Sequence, residues 1–239
     1  MCFNASLAQS VEILERYFNA VIDGNYIEPV YFKSAFTLPY WPVLKAEDSK
    51  KFCFLQWGLI PSWEKSFEMA NQIRFKTFNA RFETLNEKVS YSHPADYNRC
   101  AVVVDGYFEW KDINGKKQPY YLYLPDKKPF LLAGLWDTWV NTEKGDIYET
   151  FSVVTTKAKG IAAEIHNTKM RMPFILDNEN FQIWMNQKQP FKDIKDKLLP
   201  SGNNLEAYPV SRLLTSRTRE TNVPEVQKRL EEEKEFDFL

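Results

Sequence analysis

Histidine and cysteine are the scarce residues of this chain: two and three respectively among 239. The cysteines, Cys2, Cys53 and Cys100, are odd in number and have no short paired spacing. That excludes a disulfide framework and a cysteine-built zinc site, and it fits a reducing cytosol. No apolar run approaches the roughly 18 residues of a membrane span. The N-terminus lacks the basic-then-apolar order of a secretory leader, so none is expected. Net charge is only −1, without the basic excess of a general nucleic-acid binder. Residues 225–239 hold six acids and three bases, which leaves 28 bases against 26 acids elsewhere. Any anion-binding surface is therefore a local patch.

Apolar residues are plentiful, at 44% with 15% aromatics, enough for a substantial core. Residues 7–22 carry apolar side chains at helical spacing. From about 27 to 155 the pattern is mostly strand: 52–57, 74–78, Arg99 through Trp110, Tyr120–Leu124, 129–136 and 148–155. Asn114-Gly115 marks a hairpin turn. Residues 158–166, 178–188 and 190–199 read as helices, and Pro224 opens a last one from Val223. No repeat, low-complexity segment or linker divides the chain. The expectation is one α+β domain over residues 1–239, a largely antiparallel barrel-like sheet with peripheral helices and an acidic helix or tail over about 223–239.

The chemistry begins at Met1-Cys2. A small second residue permits removal of the initiator Met. Cys2 then carries an α-amine and a thiol on adjacent carbons, with ordinary pKa values of about 7.7–8.0 and 8.5. An aldehyde can form a Schiff base with that amine, and the thiol can close a five-membered thiazolidine. Glu109, flanked by Phe108 and Trp110, is placed for desolvation, which raises a carboxyl pKa and suits a group that both gives and takes protons. An outward-facing strand position fits the same alternation. His166 ends a short helical stretch before the basic loop Asn167–Pro173, as a helix C-cap or as a general acid/base. His93, in Tyr91-Ser92-His93-Pro94, reads as a surface loop residue. Asn79 can donate and accept, and Arg81 offers a planar fork for phosphate. The same cluster, Asn79 to Thr84, would also serve as a turn with a surface ion pair. Trp57-Gly58-Leu59-Ile60-Pro61-Ser62-Trp63 is unsuited to a helix. Trp57 reads as core, while Trp63 is open to stacking on bases. Cys53 and Cys100 lie in apolar strands as inert thiols.

Six pieces in order resemble the SOS-response-associated peptidase (SRAP) family of abasic-site-processing proteins. They are Met1-Cys2, Trp57–Trp63, Asn79–Thr84, Asp105–Trp110, Ile165-His166 and Pro209–Arg212. The resemblance implies that Cys2 forms a thiazolidine with the abasic sugar in single-stranded DNA. Glu109 would open the sugar ring and shuttle protons, His166 would act as acid/base, and Asn79 would orient Cys2. Arg81, Trp63 and Arg171 would contact DNA. It further implies no metal or organic cofactor and a cytoplasmic monomer that is nucleoid-associated when bound. Peptidase activity would be confined to removal of Met1 or self-release, with a lyase-type step beside it. Two departures stand out. The family opens Met-Cys-Gly-Arg where this chain reads Met1-Cys2-Phe3-Asn4, and its Asn-rich segment is replaced by Tyr31–Pro39. The rivals are an N-terminal-nucleophile amide hydrolase and a non-covalent single-strand binder using Trp63 and Arg81.

Overall fold

Five strands close on themselves to form the centre of the protein. The computed structural model describes residues 2–23, 28–201, 204–216 and 218–231, with thirteen strands and six α-helices among them. In chain order the strands are β1 Asn4–Leu7, β2 Val30–Ser34, β3 Tyr40–Lys45, β4 Asp48–Trp57, β5 Asn79–Arg81, β6 Arg99–Val104 and β7 Gly106–Ile113. There follow β8 Lys116–Tyr123, β9 Phe130–Val140, β10 Ile147–Lys157, β11 Arg171–Pro173, β12 Ile175–Leu176 and β13 Glu206–Pro209. The helices are α1 Val11–Phe18, α2 Phe67–Arg74, α3 Val89–Tyr97, α4 Gly160–Ile165, α5 Asn178–Met185 and α6 Phe191–Ile194. The ring runs β10-β4-β3-β6-β9 and back to β10, with β5, β11 and β12 attached. Among the described strand pairings, only those of β10 with β4 and β5 are parallel. A second, antiparallel sheet has the order β13-β8-β7-β1-β2. No described helix is long and apolar enough to cross a membrane. The α+β architecture with a barrel-like, largely antiparallel core is the one expected.

Every residue of β6 is buried, because barrel interior lies on one face and helices cover the other. Arg99 at its start is fully buried and still satisfied. Its guanidinium donates to the carbonyls of Ala95 (2.7 Å), Trp184 (2.7 Å), Asn186 (2.6 Å) and Gln189 (3.1 Å), so one side chain ties α3 and the end of α5 to the barrel.

The structure corrects several sequence boundaries. The apolar run at 99–110 is two strands in two sheets, broken at Asp105. Asp105 is buried there, accepting from the Ser6 hydroxyl at 2.5 Å and the Ala8 N–H at 2.6 Å. Gly106 follows because a Cβ would lie 2.3 Å from the Tyr121 ring. Helix α1 begins at Val11, not residue 7, since the Ser10 hydroxyl caps it while Leu7 belongs to β1. Asn19, at φ 49°, ends it. Residues 74–78 are not a strand: Arg74 closes α2 and the strand starts at Asn79. His93 lies in α3, not a loop, although exposed as expected, and the helix tolerates Pro94 inside it. The helix expected from Val223 is a single 3-10 turn, Pro224–Gln227, and residues 232–239 of the acidic end lie outside the described residues. The 190–199 stretch is likewise cut short, to α6 and a 3-10 turn at Lys195–Lys197. The Asn114-Gly115 turn forms as expected, with both residues at positive φ (52° and 81°), the backbone a tight β7–β8 hairpin requires.

Candidate functional site

Cys2 and Glu109 come together because β1 pairs antiparallel with β7. Ala5 sits opposite Tyr107 and Ser6 opposite Gly106, and continuing that register sets Phe3 opposite Glu109. Cys2 is fully buried in the apolar cluster that also holds Ala5, Tyr107 and Leu122. Burial first, and then the charge of Glu109, push its thiol well above the ordinary range. Sulfur is therefore held as thiol, not partly as thiolate as its ordinary pKa suggests.

Strand alternation divides β7 by chemistry. Phe108 joins a separate aromatic cluster with Phe32, Tyr121, Tyr123 and Tyr208, and Trp110 packs on its rim. Tyr107 and Glu109 take the opposite face. Glu109 is 5% exposed, and burial raises its carboxyl to about 7. It is thus not an outward-facing strand residue.

His166 is the C-cap of α4, its N–H returning to Ala162 O. The cap and the site position coincide in one residue, since its Nδ1 lies 3.6 Å from Glu109 Oε1. Nδ1 is also 2.7 Å from Arg171 O. A carbonyl only accepts, so the hydrogen sits on Nδ1 and Nε2 is the nitrogen that titrates. Burial lowers the His166 pKa, so near neutral pH the ring is uncharged and the contact with Glu109 is not an ion pair. Asn167 fastens this segment to β7 through its side chain: Asp112 N–H donates to Oδ1 at 3.0 Å and Nδ2 donates to Asp112 O at 2.9 Å.

Asn79 opens β5, its carbonyl accepting from the Tyr91 hydroxyl at 3.2 Å. Among the described residues its Nδ2 and Oδ1 are buried without a hydrogen-bond partner. The rings of Phe78 and Phe3, at 6.1 Å, bring the neighbours of Asn79 and Cys2 together. Phe36 packs edge-on to Phe78 at 5.0 Å and tilted against Phe3 at 5.3 Å, so the two departures from the family's sequence pattern meet in one aromatic group beside Cys2.

Arg81 is exposed at the end of β5, with no ion-pair partner among the described residues. Arg171 differs: its fork is taken by Glu83 in two 2.8 Å bonds, and Nη2 also donates to Thr155 O at 2.6 Å. The surface ion pair foreseen for the Asn79–Thr84 cluster thus exists, with Arg171 as its cation. Trp57 is core, and Trp63 is about half exposed in the loop leaving β4. Cys100 is buried while Cys53 is only partly so, and burial raises both thiols. Sequence reading missed Tyr107, Asn167 and Lys169. Counting two back from Glu109 along a strand would have found the first. The charge of Lys169 lowers the pKa of both Glu109 and His166. No three His, Cys, Asp or Glu side chains among the described residues converge to hold a metal ion.

The SOS response associated peptidase (SRAP) family model matches residues 1–217. The abasic site processing protein YoqW of Bacillus subtilis is 38% identical over 175 residues, 72% of this chain and 74% of that protein. The abasic site processing protein HMCES of Gallus gallus is 31% identical over 187 residues, 70% of this chain and 54% of the relative. A crystal structure of a Bacteroides thetaiotaomicron protein superposes with a TM-score of 0.88 at 33% identity, covering 96% of this chain and all of that one.

Proposed function

The chain belongs to the SOS response associated peptidase family, and from that premise we propose that it processes abasic sites in DNA by bonding covalently to them through Cys2. The observation that carries the reading is the buried Glu109 carboxyl, raised to about 7, against the fully buried Cys2 and 3.6 Å from His166. Met1 lies outside the described residues; its removal turns the Cys2 nitrogen from an amide into the required amine.

An abasic sugar is mostly a closed hemiacetal. Glu109 as carboxylate takes the proton of the anomeric hydroxyl and returns it to the ring oxygen, releasing the aldehyde. The Cys2 amine forms a C–N bond to that carbon. Glu109 carries the two protons of the attacking nitrogen in turn to the former aldehyde oxygen, the first giving a hydroxyl and the second letting it leave as water with formation of the Schiff base. A carboxyl at about 7 populates both forms at neutral pH. Of the acid and base roles open to His166, the base fits, because a histidine with lowered pKa is a poor proton donor near pH 7. Its neutral Nε2 instead takes the thiol proton as sulfur adds to the imine carbon, and the imine nitrogen gains a proton in turn. The thiazolidine forms with net loss of one water. Asn79 orients the adduct, while Arg81 binds phosphate and Trp63 a base. Arg171 reaches phosphate only by giving up Glu83, so its first role is to fix the carbonyl that holds His166. Single-stranded substrate, a monomeric state, a cytoplasmic setting, and peptidase or lyase steps limited to Met1 removal and self-release belong to the same proposal.

Incubation with a single-stranded oligonucleotide carrying one abasic site, followed by a denaturing gel, tests it. Wild type should give a shifted band without reductant, whereas Cys2→Ala should give one only after borohydride. A reductant-independent band from Cys2→Ala removes the thiol from the mechanism. Glutamine turnover without any shifted band would favour the amide-hydrolase reading.

A further inference from the structure

Tyr107 is 0% exposed and lies two residues before Glu109, on the same face of β7 and in the same apolar cluster as Cys2. Its hydroxyl has no hydrogen-bond partner among the described residues. A buried hydroxyl left unpaired costs folding free energy, and a phenylalanine would fill the same space without that cost. Tyr107 is not isolated in this respect, since both polar atoms of the Asn79 amide are also buried without partners. The Tyr107 hydroxyl, near enough to Glu109 and Cys2 for their charges to act on it, therefore has a hydrogen bond to give to a ligand held at Cys2.

We infer, resting on the proposed function, that Tyr107 is a further catalytic residue of the Cys2 site, its hydroxyl donating a hydrogen bond to the aldehyde oxygen of the opened sugar while the Cys2 nitrogen attacks. The bond that forms is C–N, and the carbonyl π pair moves onto the oxygen. The proton that neutralises this oxygen comes from the attacking nitrogen by way of Glu109. Tyr107 keeps its own hydrogen: burial and the nearby Glu109 and Cys2 hold the phenol far above its ordinary range, so it donates without transferring. A donor preset at the place where charge develops is worth most in a site that excludes water. The asymmetry of β7 supplies the rigidity, because Phe108 is packed on the other face against Phe32 and Tyr121, at ring distances of 5.2 and 5.0 Å.

Tyr107→Phe removes only the oxygen. The experiment compares it with wild type in thermal melting, in binding to a single-stranded oligonucleotide with a tetrahydrofuran abasic analogue, and in single-turnover crosslinking to the aldehyde-bearing oligonucleotide. The analogue has no aldehyde, so it reports binding alone. The variant should melt at the wild-type temperature or above and bind the analogue within about twofold, while its crosslinking rate at saturating DNA falls roughly 10²- to 10³-fold. A rate within about threefold of wild type overturns the inference and leaves the covalent reading standing, threefold being far below the effect of one lost oxyanion donor. A lowered melting temperature also overturns it, because the hydroxyl then has a structural partner. Wild-type protein that forms no covalent band removes the covalent reading and this inference together.

Discussion

Glu109 is useful because it is unfavourably placed. Its carboxyl has a pKa of 4.5 in the unfolded chain and about 7 in the fold. Below pH 4.5 it is protonated in both states and carries no penalty. As pH rises toward 7 the unfolded chain releases its proton first, so the fold loses stability, by about 3 kcal/mol once both states are ionised. His166 acts in the opposite sense: its lowered pKa gives stability that is present above 6.5 and lost as pH falls. Glu109→Gln should therefore be more stable than wild type in urea at pH 8, with the gap closing near pH 4.5. The same variant should slow crosslinking by about 10²-fold or more. A variant that is neither stabilised at pH 8 nor slowed would remove the case for a strained acid. Glu109 and His166 were legible in the sequence because a carboxylate between aromatics and one of two histidines are rare signals. Tyr107 was not, because a tyrosine in an apolar strand looks like core until its hydroxyl is found without a partner.

At the scale of elements, the barrel is joined to its helical cover by a cation. Arg99→Met keeps most of the volume but leaves the carbonyls of Ala95, Trp184, Asn186 and Gln189 without their shared donor. The expected loss is about 3–5 kcal/mol, read from chemical melts. Arg99→Lys should recover only part of it, since one ammonium cannot reach four carbonyls at fork geometry. A loss under about 1 kcal/mol, the size of a typical single hydrogen bond, would mean that water replaces the guanidinium. Strands β4 and β6 to β10 were legible from β-branched and aromatic runs, and the β7–β8 hairpin from Asn114-Gly115, whereas the short β1, β5, β11, β12 and β13 were not. The break at Asp105 was not, because it depends on Ser6, Ala8 and Tyr121, partners distant in sequence. The same limit applies to α1, whose apolar spacing runs back into Leu7 although Ser10 sets the true start.

At the scale of the molecule, charge is nearly balanced and DNA must be met locally. Arg81→Ala should weaken binding to single-stranded DNA and lower the slope of log affinity against log salt by about 0.7, one phosphate contact. An unchanged slope in fluorescence anisotropy titrations would take Arg81 out of the interface. The order β13-β8-β7-β1-β2 has a mechanical meaning as well. The strand that follows Cys2 lies inside this sheet, next to β7, whereas β13 forms one rim. Leu230 N–H bonds Pro209 O, and Pro209 lies opposite Tyr120. A pull on the chain beyond residue 231 therefore loads the Leu230–Pro209 bond first, and then Gln227 and Asn222, which are bonded to Tyr31 and Phe32 of β2 on the opposite rim. Tension from that end meets both rims, β2 and β13, before the strands between them. A machine that drags the polypeptide away by its C-terminal end would thus strip the two rims of this sheet before it reached β1 and β7, the strands that bring Cys2 and Glu109 together.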